Sequence, residues 1–311
     1  MSQNNCNPLY SIYCNFKVRI VGGLSENDLS GLYRCTLCNS CGTAGFNRGA
    51  REIAVGKGLV APHAGAVRMN IWKAGNPYGV QTARKGGSNG KMDTILWRGC
   101  TTAYRTPEIL EAAASLLNER GVEYGYIDDE GCCGNILFNL GDLASGREAV
   151  RSNIEKFEKA GVKRIITVCP GCYSAFRRYY KGVGGFDPEV LLAADLLDGL
   201  TADGKGFSVQ DPCHAKEKGA AVRKMLPGVG SKSISPCCGA GAGLMIHDHQ
   251  LADAKALDAA KGTIGSIVTY CPFCYLNLSR VRPGRAIDLY MLLARQASRH
   301  SIREPIKDQS S

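Results

Sequence analysis

Ten of the fifteen cysteines in this chain of 311 residues stand in two copies of one pattern. The first copy is Cys100, the doublet Cys132-Cys133 followed by Gly134, and the pair Cys169 and Cys172 in Cys-Pro-Gly-Cys. The second is Cys213, the doublet Cys237-Cys238 followed by Gly239, and Cys271 and Cys274 in Cys-Pro-Phe-Cys. Thiolates are soft ligands, and their natural partners are zinc and iron–sulfur clusters. A single structural zinc or an ordinary cubane takes four ligands, whereas each copy offers five, two of them adjacent. An iron–sulfur centre with an unusual ligand set fits that count best. Paired zinc sites stay open because Cys-x-x-Cys is common in them. Disulfides would suit a small secreted chain, and no signal-peptide pattern opens this sequence.

The spacing carries physical meaning. Cys-Pro-x-Cys at a strand-to-helix turn sets two sulfurs on one side and points helix N-terminal N–H groups at an anionic centre. Glycine after each doublet tolerates a positive φ, so two consecutive side chains can turn towards one site. The plainer alternative is that one cysteine of a doublet only packs in the core.

These residues need elements to position them. The pattern from 93 onward predicts strand 94–97, an amphipathic helix 106–120 opened by Thr106-Pro107, and strand 122–127. A charged helix over ~143–160, strand 162–168 and a helix from Pro170 complete the first half. The second half predicts a joining helix 189–197, strand 207–210, helix ~216–226, strand 232–235, helix ~248–261, strand 264–270, a helix from Pro272 and a last helix 286–296. Alternating strands and helices imply an α/β fold of two pseudo-symmetric Rossmann-like βαβ halves, with the cysteines at strand ends. Domain limits are expected at 1–92, 93–185 and 186–311. Residues 1–92 show little periodicity beyond a capping-box helix at 25–33 leading to Cys35, Cys38 and Cys41. The stretch 75–79 reads as a turn and 84–90 as an exposed loop.

Apolar residues make up 44% and charged residues 21%, an ordinary soluble composition. No apolar run reaches the ~18 residues of a membrane span, so membrane contact would need a partner. Cysteine usage points to a reducing cytoplasm. Residues 1–98 carry 12 Lys and Arg against 4 Asp and Glu, a net +8, while the rest contributes only +2. Such a front suits an acidic redox partner or an anionic substrate. No stacking motif or helix-turn-helix accompanies it, so nucleic acid is not expected. The glycines at 239–243 lack the context of a nucleotide fingerprint. Arg105, Lys216 and His214 lie near the cysteines and are candidates for holding an anionic thiol, with His214 a candidate proton donor. His247 and His249 read as surface helix residues.

The doublet-Gly motifs, Asp211-Pro212-Cys213-His214 and Cys271-Pro272-Phe273-Cys274 resemble the duplicated cysteine-rich (CCG) domain found in the B-type and D-type subunits of heterodisulfide reductase. The same domain occurs in the iron–sulfur subunits of glycolate oxidase and anaerobic glycerol-3-phosphate dehydrogenase. The resemblance implies a non-cubane [4Fe–4S] centre in each half, one held by Cys100, Cys132, Cys133, Cys169 and Cys172. The other would be held by Cys213, Cys237, Cys238, Cys271 and Cys274, with a disulfide cleaved between them. The front segment resembles the ferredoxin-like, loop-rich segment of the D-type subunits, which implies a further [4Fe–4S] cluster at Cys35, Cys38 and Cys41. The ferredoxin run would place a fourth cysteine at position 45, which is Gly45 here. Cys14, or else Cys6, is then the expected fourth ligand.

The resulting expectation is an iron–sulfur oxidoreductase subunit of heterodisulfide reductase type, acting on a small anionic disulfide or thiol pair. The alternative is an electron relay in a flavin dehydrogenase–quinone complex. The redox partner would be flavin-containing, ferredoxin-like or a membrane cytochrome-type subunit.

Overall fold

The computed structural model describes residues 8–81, 92–231 and 236–301. The expected loop at 84–90, the expected strand 232–235 and Cys6 lie outside these residues. Four helices come first: α1 (Pro8–Ile20), α2 (Glu26–Tyr33), α3 (Ala44–Gly56) and α4 (Pro62–Ala74). The capping box of α2 is formed, with the Asp28 N–H donating to Ser25 Oγ at 3.2 Å and the Ser25 N–H to Asp28 Oδ2 at 3.1 Å. The rest corrects the expectation of a loop-rich front. Cys14 and Val18 of α1, Leu32 and Tyr33 of α2, and Ala50 and Ala54 of α3 form a helical core. Glycines at 45, 49 and 56 weaken the local helical signal of α3, and tertiary packing overrides it.

The first half runs β1 (Thr94–Trp97), α5 (Cys100–Tyr104), α6 (Pro107–Glu119), α7 (Asn135–Leu140), α8 (Leu143–Ala160), β2 (Arg164–Thr167), α9 (Pro170–Ala175) and β3 (Glu189–Leu192). The second runs β4 (Phe207–Gln210), α10 (Gly219–Lys224), α11 (Leu244–His247), α12 (His249–Ala260), β5 (Ser266–Thr269), α13 (Pro272–Val281), β6 (Ala286–Asp288) and α14 (Leu289–Ser301). Each half holds a parallel three-stranded sheet, β1-β2-β3 and β4-β5-β6, with the middle strand just before the Cys-Pro-x-Cys turn. The expected strand 122–127 is reduced to a single parallel bridge, Ile95 to Gly125, which Ser208 to Gly230 matches in the second half.

Both third strands differ from the expectation. The Leu- and Ala-rich run 189–197 reads as helix, yet Arg164 to Thr167 pair in register with Glu189 to Leu192. Sheet pairing with a buried neighbour overrides propensity here. Residues 189–192 thus complete the first sheet, although the sequence assigns them to the second half. Ala286–Asp288 likewise pair with β5, and the last helix starts only at Leu289. One apolar cluster runs through both halves, with Leu96, Ile166 and Val168 from the first joined to Val209, Val268 and Leu289 from the second. Among the described residues no helix is long and apolar enough to cross a membrane.

Candidate metal centres

Each strand that ends at a cysteine delivers it at its C-terminal end, where ligand sites of open α/β sheets form. In the first half Gly99 follows β1 with φ +71, and a side chain there would meet Cys172 Sγ at 3.5 Å. The carboxylate of buried Glu130 accepts from the Arg98 N–H at 2.9 Å and the Gly99 N–H at 2.7 Å. This ties the Cys100 loop to the doublet loop. Cys169 caps α9 and Pro170 takes its first position, which places Cys172 in the first turn. Gly134 has φ +82 and starts α7. Asn153 donates to the Cys132 carbonyl at 2.9 Å and Tyr180 to the Cys133 carbonyl at 3.1 Å.

The second half repeats the device with other residues. Asp211, just before Pro212-Cys213, is held by Arg223 through two bonds of 2.9 and 2.7 Å and by the Tyr270 hydroxyl at 3.0 Å. Cys271 caps α13 with Pro272 after it. Asn277 donates to the Cys238 carbonyl at 2.5 Å. Gly239 has φ +80, and a side chain there would lie 2.6 Å from the Ala252 carbonyl, so glycine is needed for two reasons.

The thiols of each half touch in sequence. Cys274 Sγ donates to Cys238 Sγ at 3.0 Å. The second thiol of each doublet is held on the thiolate side: Cys133 by Cys132 and Cys172, and Cys238 by Cys237 and Cys274. Cys213 sits against Cys237, and Cys169 against Cys172. Backbone N–H groups point at sulfur in the same way three times: Gly134 to Cys132 at 3.4 Å, Gly239 to Cys237 at 3.5 Å, and Leu37 to Cys35 at 3.4 Å. All described cysteines are free thiols. Among the described residues no three His, Cys, Asp or Glu side chains are arranged around a point where a single metal ion could sit. In type, number and N–H donors, both five-thiol sets fit an anionic iron–sulfur group.

The loop that carries the triplet reaches the doublet of the second half. Leu37 and Asn39 adopt positive φ of 55° and 60°, a strained turn for side chains other than glycine. This turn sends Cys38 to the second half, where it lines a cavity with Cys213, Cys237, Cys238, Cys274 and Lys216. Contact with the Cys237 thiol, then burial, pushes Cys38 up to about 12. Cys41 Sγ lies 3.1 Å from Thr43 Oγ1. Cys35 packs beside Leu37, Ala44 and Ala242. Cys14 is fully buried on α1, and its polar neighbours are Tyr10, Asp28 and Lys17 rather than the triplet.

His214 Nδ1 lies 3.7 Å from Cys213 Sγ, and burial, with Arg178 and Arg48 nearby, pulls it down to about 4. It is therefore neutral near pH 7 and offers an N–H, not an imidazolium. Arg105 stacks over Tyr78 at 4.7 Å, and Tyr78 bonds Thr101 at 2.9 Å, with Cys100 and Cys169 in electrostatic reach. The turn around Tyr78 is built by Asn76, whose amide donates to the Ala74 and Val80 carbonyls at 2.8 Å. His247 is no plain surface residue: its ring centroid is 4.7 Å from that of His63, and it bonds the Ser30 carbonyl at 2.8 Å. His249 bonds Arg280. Tyr78, Glu130, Asn153, Tyr180 and Asn277 belong to no cysteine motif. The Gly-Asn-Pro-Tyr-Gly turn was the only sequence signal pointing at any of them.

The family model described as the cysteine-rich domain, CCG, matches residues 94–177 and 208–279. The chain is 26% identical to the D subunit of the dihydromethanophenazine:CoB–CoM heterodisulfide reductase of Methanosarcina barkeri, over 83% of this chain and 75% of that one. It is 28% identical to the EtfAB:quinone oxidoreductase of Syntrophomonas wolfei, over 72% of this chain and 38% of that one. The B subunit of the fumarate reductase (CoM/CoB) of Methanothermobacter marburgensis is also 28% identical, over 84% of this chain and 58% of that one.

Proposed function

The chain belongs to the CCG cysteine-rich domain family, and from that premise we propose that it is an iron–sulfur subunit of an oxidoreductase of heterodisulfide reductase type. The observation that carries this reading is the pair of contiguous five-thiol sets, each with a carbonyl-pinned doublet and an N–H aimed at its first sulfur. Cys100, Cys132, Cys133, Cys169 and Cys172 hold one non-cubane [4Fe–4S] centre. Cys213, Cys237, Cys238, Cys271 and Cys274 hold the other. A further cluster at Cys35, Cys38 and Cys41 would have to share Cys38 with the second half's cavity and would not include Cys14, which lies in the helical core.

When bound, such centres deliver single electrons and offer iron to a thiolate sulfur. The chain's own residues do the rest. Lys216, on the cavity of the second half, attracts the anionic end of a small disulfide, and Arg105 does so beside the first half. The neutral His214 donates its N–H towards a departing thiolate. Two of the relatives carry CoM and CoB in their names, which supports a thiol–disulfide couple as the substrate class. The redox partner is a separate flavin, ferredoxin-like or cytochrome-type subunit, and the place is the cytoplasm or a membrane reached through that partner. The EtfAB:quinone oxidoreductase relative favours a second reading, an electron relay without substrate chemistry.

Anaerobically purified protein should carry about twelve irons per chain, four per centre, with matching sulfide and negligible zinc. Adding a small anionic thiol to oxidised protein should create a new EPR signal. Stoichiometric zinc ends the redox reading. Clusters that ignore thiols and disulfides but are reduced rapidly by a flavoprotein or quinone partner make the relay correct.

A further inference from the structure

The loop after α2 is fastened to the doublet loop of the second half and to the helices that follow it. Arg34 pairs with Asp248 at 2.9 Å, and His247 bonds the Ser30 carbonyl at 2.8 Å. The Thr36 hydroxyl lies 3.2 Å from Cys237 Sγ, and a side chain at Gly241 would stand 3.4 Å from the Thr36 carbonyl oxygen. Leu37, Ala44 and Ala242 pack together. Arg51 of α3, fully buried, forks across the same joint. Its Nη2 donates to the Leu32 and Cys35 carbonyls at 2.7 and 2.6 Å, and its Nη1 to the Asn139 and Ala242 carbonyls at 2.8 and 3.2 Å.

A joint so closely determined can hold a backbone that is otherwise unfavourable. Leu37 and Asn39, on either side of Cys38, both take positive φ, and so does Ala242 across the joint. Between the first two, Cys38 enters the cavity lined by Cys213, Cys237, Cys238, Cys274 and Lys216. Its Sγ donates to Ser40 Oγ at 3.4 Å, and Ser40 lines the same cavity. Cys14, Cys35 and Cys41 have their partners elsewhere. We infer that Cys38 is a sixth thiol ligand of the second-half centre, supplied by the front segment, and that it holds the place a substrate sulfur takes there. The inference rests on the functional reading above and is independent of any cluster at the triplet. A thiolate is as soft a donor as a substrate sulfur, so the two compete for one position. An incoming thiol that displaces Cys38 passes its proton to Cys38, and no electron moves in the exchange. Lys216, on the same cavity, draws the anionic end of that thiol. The second half is thus capped by the chain itself, while the first half stays open to an outside thiol.

The first test is iodoacetamide footprinting with mass spectrometry on the full, anaerobically loaded chain, in wild type and in Cys41→Ser, which leaves the triplet too few thiols for a cluster of its own. In both proteins Cys38 should resist alkylation along with the five second-half cysteines, and stripping the iron with a chelator should speed its alkylation at least about tenfold. Equal rates in loaded and stripped protein overturn the inference, because a thiol that only packs is shielded alike in both. Protection that vanishes in Cys41→Ser also overturns it and assigns Cys38 to the triplet. The second test adds 3-mercaptopropionate to oxidised protein and follows EPR, with the second-half signal identified by its loss in Cys274→Ser. In Cys38→Ala that signal should respond at about a tenfold lower thiol concentration than in wild type, as for a site nine-tenths filled by its own ligand. The first-half signal should respond at an unchanged concentration. Equal responses of the second-half signal in the two proteins overturn the inference. If Cys38→Ala does not fold, or if no signal answers to the thiol and the relay reading applies, the footprint decides. Wild type with no iron at all refutes the functional reading instead.

Discussion

The hydroxyl of Thr36 lies 3.2 Å from the thiol of Cys237, so the loop after α2 seals the second half's doublet. The first half receives a different cover: Tyr78, stacked under Arg105 and bonded to Thr101, stands beside Cys100 and Cys169. Two halves built on one pattern are therefore unequal where they meet the front segment. The first has an aromatic side chain over it, and the second has another thiol.

That inequality predicts an unequal response to mutation. Cys38→Ser should alter the EPR signal of the second-half centre and leave that of the first-half centre unchanged. Cys41→Ser, whose thiol pairs with Thr43, should spare both repeat centres. A Cys38→Ser protein with wild-type repeat signals would show that the contact with Cys237 has no electronic consequence.

Gly239 offers a test of the doublet turn. Alanine at Gly239 or Gly262 meets the same backbone cost of ~1–2 kcal/mol, because both have positive φ. Gly262 has open space around it, whereas a Cβ at position 239 would lie 2.6 Å from the Ala252 carbonyl oxygen. Gly239→Ala should add about 1–3 kcal/mol of clash and lower the iron content. Equal losses in denaturant unfolding would mean that the close approach is relieved freely.

The pinning amides should act locally. Asn277→Leu leaves the Cys238 carbonyl without its side-chain donor, a cost of ~1–3 kcal/mol for a buried acceptor left unsatisfied. Asn153→Leu does the same to the Cys132 carbonyl. Iron analysis with EPR should find the second-half centre depleted in the first variant and the first-half centre in the second. Depletion of both centres by either variant would argue that the two sites load as one.

Docking of the front segment should depend on pH. Burial, then His247 and Arg51, hold His63 down to about 4, while an unfolded histidine titrates near 6.5. Between those values the unfolded chain binds more protons, so stability rises with pH and falls on acidification. The thermal midpoint should drop as pH goes from about 7 to about 4, and His63→Gln should make that slope shallower. Parallel profiles for the two proteins would place the sensitivity in other groups.

The ten repeat cysteines were legible because their chemistry lies in spacing that survives without any knowledge of contacts. The strands before Cys100, Cys169, Cys213 and Cys271 were legible too, as short apolar runs ending at a thiol. β3 and β6 were not, since 189–197 carries strong helix formers and Ala286-Ile287-Asp288 runs unbroken into α14; only pairing with β2 and β5 reveals them. Cys14 is nearer the triplet in sequence than Cys6, but α1 turns its thiol into the helical core of the front segment. Arg51, Glu130, Asn153 and Asn277 work through backbone carbonyls and amides brought from far along the chain, and no local pattern marks such partners.

The last helix has a consequence for how such a molecule could have arisen. α14 leaves the second sheet at β6 but lies on α6 of the first, and the Ala194 N–H donates to its Tyr290 hydroxyl at 3.2 Å. A single repeat made alone would expose the surface that this helix and the shared apolar cluster now cover. An ancestor with one repeat would have needed a second copy of itself to bury that surface, and gene fusion would then have turned a homodimer's interface into the interior of one chain. Expressed as separate polypeptides split near residue 200, the two repeats should accordingly be recovered together or not at all.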